Sequence, residues 1–215
     1  MTVPAHQPQP HQTVGEKLRA RRAALGIPLR GVAEGTGLSI GFISQVERGI
    51  SEPSLTSLKA ICEVLGVSVR DIVPDTGPVP EATRSLSRRR YQLRPEAGET
   101  HAYERLTTIF PGSVLTGVII HEPPGCRIEP QSHDGEEMFF ILQGSITVEL
   151  DGHPTVLAQG DTLHFSSRRR HSAWNHTVNP AVMLHVCTMD VFDDRISAEN
   201  GPPGAYAGHE KGRGA

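Results

Sequence analysis

The 215-residue chain has few cysteines: Cys62, Cys126 and Cys187 are an odd number without CxxC spacing. That excludes a disulfide framework or a zinc knuckle and suits buried thiols in a reducing cytoplasm. An excess of one charge is also missing, because 21 Lys and Arg face 24 Asp and Glu for a net charge of -3. No global field attracts nucleic acid, so any such contact must be local. There is no run of about 18 apolar residues to span a membrane, and the opening MTVPAHQPQPHQT lacks the apolar stretch of a signal peptide. The chain reads as a soluble cytoplasmic protein with no membrane partner.

What the sequence does have is one change of period. From Val14 to about Val73 the apolar spacing is helical: Leu55, Leu58, Ile61, Cys62 and Leu65 trace one face, which Ser54 can cap and Gly66 can end. The segment VPDTGPVPEATRS then carries Pro and Gly at a density that neither helix nor sheet tolerates. Beyond it short apolar runs alternate with turn signals, among them the hairpin signal Asp151-Gly152 between SITVEL and HPTVLA. The expected organisation is a disordered tail at 1–13, an all-α domain at 14–73, a linker and the start of the strand domain at 74–100, an all-β sandwich or jelly roll at 101–192, and a flexible tail at 193–215. The fold class is multidomain α + β.

In SIGFISQVERG, residues 39–49, Ile43 and Val46 can point into a core, while Ile40, Gly41, Ser44, Gln45 and Arg48 fall on the other side. Upstream, Ala33 is small enough for two helices to cross closely and Gly37 tolerates a turn with positive φ. Through these residues, and through ISQVERGISEPSL followed by LKAICEVLGVSVRDI, the stretch 14–73 resembles the lambda-repressor and Cro type of helix-turn-helix domain, the XRE family. The resemblance implies that Ser39 starts the recognition helix and holds a phosphate. Ile40, Gly41 and Gln45 would face base edges, Ser44 would belong to the same DNA-binding face, and Arg22, Arg30 and Arg48 would contact phosphates.

The second informative stretch, GCRIEPQSHDGEEMFFILQG at 125–144, sets a carboxylate four residues after a histidine across the turn Asp134-Gly135, and GDTLHFSSRRRHSAWN at 160–175 supplies His171. Two imidazoles and a carboxylate form a facial set for a divalent transition metal. Gly125, His133, Glu137 and Gly144, then Gly160, His171 and Asn175, resemble the two motifs of the cupin family, a double-stranded β-helix, with Gln131 standing where the first motif histidine belongs. The resemblance implies a metal set of His133, Glu137, His171 and Gln131 for Zn, Fe, Mn or Ni. By the same resemblance, Tyr103, Arg105, Phe139, Ile141 and Asn175 would line or support a ligand pocket. His121, His164 and His185 read as ordinary sheet or surface histidines. Period two sends Phe139 and Ile141 inward with Glu137, leaving Met138, Phe140 and Leu142 on a second apolar face that should also be buried, by the other sheet or by another subunit.

The two resemblances together imply a transcriptional regulator, read as a repressor and not an enzyme. It would bind a palindromic double-stranded operator as a homodimer and sense a small-molecule effector in the cupin. A linker too flexible to transmit force would leave coupling to the outer face of Met138, Phe140 and Leu142. The rival is a mononuclear iron enzyme resembling the hydroxypropylphosphonate epoxidases, which share the order of helical domain then cupin.

Overall fold

The computed structural model describes residues 12–73, 79–94, 100–110 and 112–192. The expected tails at 1–11 and 193–215, and the linker residues 74–78 and 95–99, lie outside the described residues.

Among the described residues five helices come first along the chain: α1 (Val14–Ala24), α2 (Leu29–Thr36), α3 (Ile40–Glu47), α4 (Leu55–Leu65) and α5 (Val69–Ile72). Their starts follow from local chemistry. Thr13 makes a reciprocal capping box with Glu16, and Ser39, Ser54 and Ser68 each accept a backbone N–H of the first turn. Pro28 precedes α2 without a side-chain cap. Gly37 ends that helix at φ 72°, the left-handed turn expected of it. Leu18, Val32, Ile43, Val46, Leu58, Ile61, Cys62 and Leu65 are buried around one centre. Burial of each large apolar side chain contributes roughly 1.5–3 kcal/mol. Gly15 packs its Cα against the Val46 and Glu47 carbonyls, with no space for a Cβ.

After a 3-10 turn at Ser85–Ser87 come nine strands, β1 (Arg90–Gln92), β2 (Ala102–Arg105), β3 (Thr116–Glu122), β4 (Glu136–Gln143), β5 (Ser145–Leu150), β6 (His153–Ala158), β7 (Thr162–Ser166), β8 (His171–Trp174) and β9 (Ala181–Cys187). They form two sheets of order β1-β2-β3-β9-β4-β7 and β6-β5-β8 with antiparallel pairing. The β5–β6 hairpin turns at Asp151 (φ 52°) and Gly152 (φ 82°), the pair of positive φ angles that an Asp-Gly turn supplies. Strand β4 alternates as expected, Glu137, Phe139 and Ile141 being buried between the sheets. On its outer face Met138 and Leu142 are exposed and Phe140 is half-buried, so among the described residues the other sheet does not cover it. No helix among the described residues is long and apolar enough to cross a membrane. Cys62 and Cys187 are buried and Cys126 is half-buried, all as free thiols.

The helical domain packs directly on the mouth of the strand domain. Ser57 Oγ donates to Gln131 Oε1 at 3.1 Å, and Ser68 Oγ to the Phe192 carbonyl at 3.5 Å. His101, at the start of β2, lies between two carboxylates: its Nδ1 is 3.2 Å from Glu52 Oε2 in the α3–α4 connection, and its Nε2 is 2.6 Å from Glu122 Oε2 on β3. All three side chains are less than a tenth exposed. Burial pulls the imidazole towards neutrality, but Glu122 and then Glu52 outweigh it and raise its pKa to about 11. These contacts join the two domains directly, away from the outer face of β4.

Two outcomes check these packing arguments. Gly15→Ala should destabilise the helical domain by roughly 1–3 kcal/mol in urea unfolding, overriding the ~1 kcal/mol by which Ala is the better helix former. A neutral or stabilising result would contradict the close approach. For His101 the folded pKa exceeds the unfolded value of 6.5, so its contribution is fully present below that value and is lost as pH rises towards about 11. The stability gap between wild type and His101→Gln should be widest near pH 6 and should shrink near pH 8 and again near pH 10. A gap independent of pH would show that the charge contributes nothing.

Candidate DNA-reading face and metal centre

The crossing of α2 and α3 at Gly37 leaves one side of α3 bare. Ile40 is 47 % exposed although it is a large aliphatic residue, and Gly41, Gln45 and Arg48 are exposed beside it, with Ser44 half-buried. Ser39 Oγ accepts from Phe42 N at 3.1 Å, which leaves its hydroxyl proton free to donate. Gln45 Oε1 accepts from Ser51 Oγ at 2.7 Å. Arg48 lies on the last turn, its Nε on the Ser44 carbonyl at 3.2 Å. Arg30 is 79 % exposed and meets only the exposed Glu34, one turn along, at 2.8 Å. Such a pair is worth about 0.3–0.5 kcal/mol and does not hold the guanidinium from a phosphate.

Arg22 differs from expectation. Its guanidinium grips both carboxylate oxygens of the buried Glu47 and donates from Nη1 to the Ile27 carbonyl at 3.0 Å. It is a tie between α1 and α3, and the contact raises its pKa above the usual arginine value. The signal for this was present: Glu47 follows Ile43 by four residues and so falls on the buried face of α3, where a carboxylate requires a cation.

In the strand domain, the loop before β4 and the start of β8 bring three side chains together. His133 Nε2 is 2.8 Å and His171 Nε2 3.4 Å from Glu137 Oε1. Each imidazole is oriented from behind by a carbonyl, His133 Nδ1 by Asp134 at 3.0 Å and His171 Nδ1 by Arg169 at 2.8 Å. A carbonyl only accepts, so Nδ1 carries the proton and Nε2 turns towards the carboxylate. His133 Nε2, His171 Nε2 and Glu137 Oε1 are buried without a hydrogen bond of proper geometry, and the ligand atoms all lie within 4.8 Å of one another. Three such atoms converging on one point form a group that could hold a metal ion.

His185 was not expected there. It projects inward from β9, with Nε2 3.1 Å from the other carboxylate oxygen, Glu137 Oε2. Period two along β9, whose residues 181, 183, 185 and 187 are all buried, is the signal that would have placed it. Burial disfavours its charge, yet Cys187 and Glu137 raise its pKa to about 10. Glu137 is held well below the ordinary carboxylate range, burial being outweighed by His133, His171 and His185. His121 and His164 conform to expectation, paired with Glu104 at 2.8 Å and Glu136 at 3.0 Å away from this centre.

A cavity of about 30 Å³ lies beside the histidines, walled by Tyr103, Glu122, Phe139, Met183 and His185 and roofed by Ser54, Leu55 and Thr56 of the helical domain. Tyr103 and Phe139 both line this cavity. Ile141 is fully buried but is not one of the wall residues, because it lies one repeat deeper along β4. Arg105 lies over the Phe192 ring, 4.5 Å from its centroid. Asn175 donates from Nδ2 to the Glu122 and Asn179 carbonyls at 3.1 and 2.7 Å, which makes it an organiser of the loop after β8. Gln131 borders the cavity, but its amide oxygen accepts from Ser57, so it joins the domains and its oxygen is not one of the converging atoms. The arginine run beyond β7 is solvated, with Arg168 on Asp134 and Arg169 on Asp151.

Comparison with known proteins agrees with both halves. The family model for a helix-turn-helix matches residues 18–72 and that for a cupin domain residues 118–187. The transcriptional regulator ClgR of Mycobacterium tuberculosis is 38% identical over 66 residues, and the chain spans 59% of its length. The HTH-type transcriptional regulator PuuR of Escherichia coli is 22% identical over 83% of this chain and 96% of its own. A solved helix-turn-helix family transcriptional regulator from Vibrio cholerae has the same fold, with a TM-score of 0.50 and 20% identity over 82% of this chain and 94% of that one. Hydroxypropylphosphonic acid epoxidase from S. wedmorenis overlays 82% of this chain and 96% of its own at a TM-score of 0.41 and 19% identity, too loosely to bear on activity. An uncharacterized HTH-type transcriptional regulator of Bacillus subtilis, YazB, is 30% identical over 60 residues that make up 87% of it, and with the helix-turn-helix built as described, the chain belongs to the HTH-type transcriptional regulators and carries a cupin domain behind the DNA-reading helices.

Proposed function

We propose that the protein is a cytoplasmic homodimer that binds a palindromic double-stranded operator through α3, and that a small molecule held in the cupin domain changes its affinity for that operator. One observation carries the reading: a bare helix face of Ile40, Gly41, Gln45 and Arg48 stands on the same chain as a walled cavity with convergent histidines. An exposed isoleucine fits a thymine methyl, and a glutamine amide can bond an adenine edge through two hydrogen bonds. Ser39 at the helix start, with Arg30 and Arg48, would fix the register on phosphates. Operator titrations test it. Gln45→Ala should cost about 1–3 kcal/mol at one base pair and relax specificity there, whereas Arg48→Ala should weaken binding to every sequence and flatten the salt dependence. Absence of any enriched motif in genomic pull-downs would refute DNA reading.

The same reading assigns one divalent first-row metal to His133, Glu137 and His171. Bound there, it would offer open positions to an oxygen of the effector. The support is the two imidazoles oriented from behind and the convergence of their buried Nε2 atoms with Glu137 Oε1 within 4.8 Å of one another. Elemental analysis of protein purified without a metal-affinity tag should find about one ion per chain in wild type and none in His133→Ala. A metal-free wild type that binds no added Zn, Fe, Mn or Ni would leave the cluster as a set of buried ion pairs. The rival reading, an iron-dependent oxidation, rests on this triad alone. It would gain the advantage if the iron-loaded protein consumed oxygen with a phosphonate substrate and failed to bind any operator.

A further inference from the structure

The cavity beside Glu137 has room for about two water molecules and none for an organic effector. What limits it is the helical domain. Ser54, Leu55 and Thr56, at the start of α4, form its roof, and Leu55 is almost fully buried there. A second cavity, of about 70 Å³, leads to His133 from the other side. It too is closed by helical residues, among them Leu38, Thr56, Lys59 and Glu63, against Gln131 and Ser132. Both of these cavities thus lie under α4. Apolar packing joins the roof to the barrel, since Leu55 and the buried side chains of both domains belong to one cluster, and polar contacts pin it: Glu52 on His101, Arg94 on the Ile50 carbonyl, Ser57 on Gln131, and Ser68 on the Phe192 carbonyl. His101 links the two domains by charge, binding Glu52 above and Glu122 below.

We propose that the helix-turn-helix domain is itself the lid of the cupin cavity, so that an effector is admitted only when the lid lifts, and the docked and ligand-loaded arrangements exclude one another. This rests on the effector reading above and supplies its regulation. The docked domain leaves Ile40, Gly41, Gln45 and Arg48 exposed on its far side, so lifting it does not uncover a hidden recognition face. It changes how that face is held relative to the cupin and to any partner copy. A ligand that binds only the lifted arrangement must shift the equilibrium towards it, and DNA that prefers the docked arrangement must weaken the ligand by the same factor.

The test loosens the lid in the full chain without metal, DNA or effector. Diethyl pyrocarbonate modification of His171, mapped by mass spectrometry, reports access to the cavity, and alkylation of Cys62, buried in the helical core, reports unfolding of that domain. In wild type both should be protected. Glu52→Gln, which removes the charge bound by His101, should raise the His171 rate about tenfold or more while Cys62 stays protected. If Cys62 also becomes reactive, the milder Ser57→Ala is read in its place. A His171 rate equal to wild type in both variants would overturn the lid. The regulatory half is read separately: Glu52→Gln alone should shift operator affinity at least about fivefold. Unchanged affinity alongside raised His171 reactivity would overturn that half. The modification rates involve no DNA, so failure of the lid and failure of operator binding are distinguishable.

Discussion

Two buried carboxylates share one imidazolium at the seam between the domains, and the arrangement of the molecule depends on that balance. Glu52 comes from the connection that follows α3, Glu122 from the end of β3, and His101 stands between them. A buried carboxylate without a cation would be driven to its neutral form or out into water. The charge on His101 answers both carboxylates where the helical domain lies on the barrel, and they in turn raise its pKa. Tyr103 stacks near His101 and is itself pushed well above the ordinary phenol range, by burial first and by Glu52 and Glu122 next. The wall of the cavity and the seam between the domains are in this way one electrostatic unit.

The same logic, one buried carboxylate answered by several histidines, organises the centre of the barrel. Glu137 meets His133 and His171 through one oxygen and His185 through the other. The first two are oriented from behind by backbone carbonyls, which makes them fit for a metal. His185 has the Cys187 side chain as its other neighbour and belongs to the protein's own charge balance. The barrel thus sets two carbonyl-oriented imidazoles on one oxygen of Glu137, a group that could hold an ion, and His185 on the other. Gln131, in the place of a family histidine, serves neither; it has been turned to the interdomain contact with Ser57.

Arg22 and Glu47 show the same principle at the DNA-reading end. The pair lies within the helical domain between α1 and α3, where a single charge would be untenable, and so an arginine that looks available in the linear sequence is committed to packing. Arg30 and Arg48, on exposed turns, retain their freedom. Basic residues near a recognition helix separate into these two kinds by whether an acidic residue lies on the buried face opposite.

Local chemistry made much of this legible in the chain itself. Caps at Thr13, Ser39, Ser54 and Ser68, left-handed glycines at 37 and 66, and the Asp-Gly hairpin at 151 and 152 depend on neighbours a few residues away, so the elements and the two-domain order follow from sequence. Period two put Glu137, Phe139 and Ile141 inside, and motif spacing named His133 and His171. Sequence could not say which inward residues share a depth, and only the folded barrel sets Ile141 beneath the cavity and His185 against Glu137. Nor could it reveal partners 25 to 74 positions apart, as in Arg22 with Glu47 or Ser57 with Gln131. Those pairings are decided by how layers stack, a property of the folded chain as a whole. The helical domain's place over the cupin mouth is the largest of them, and only the tertiary structure could supply it.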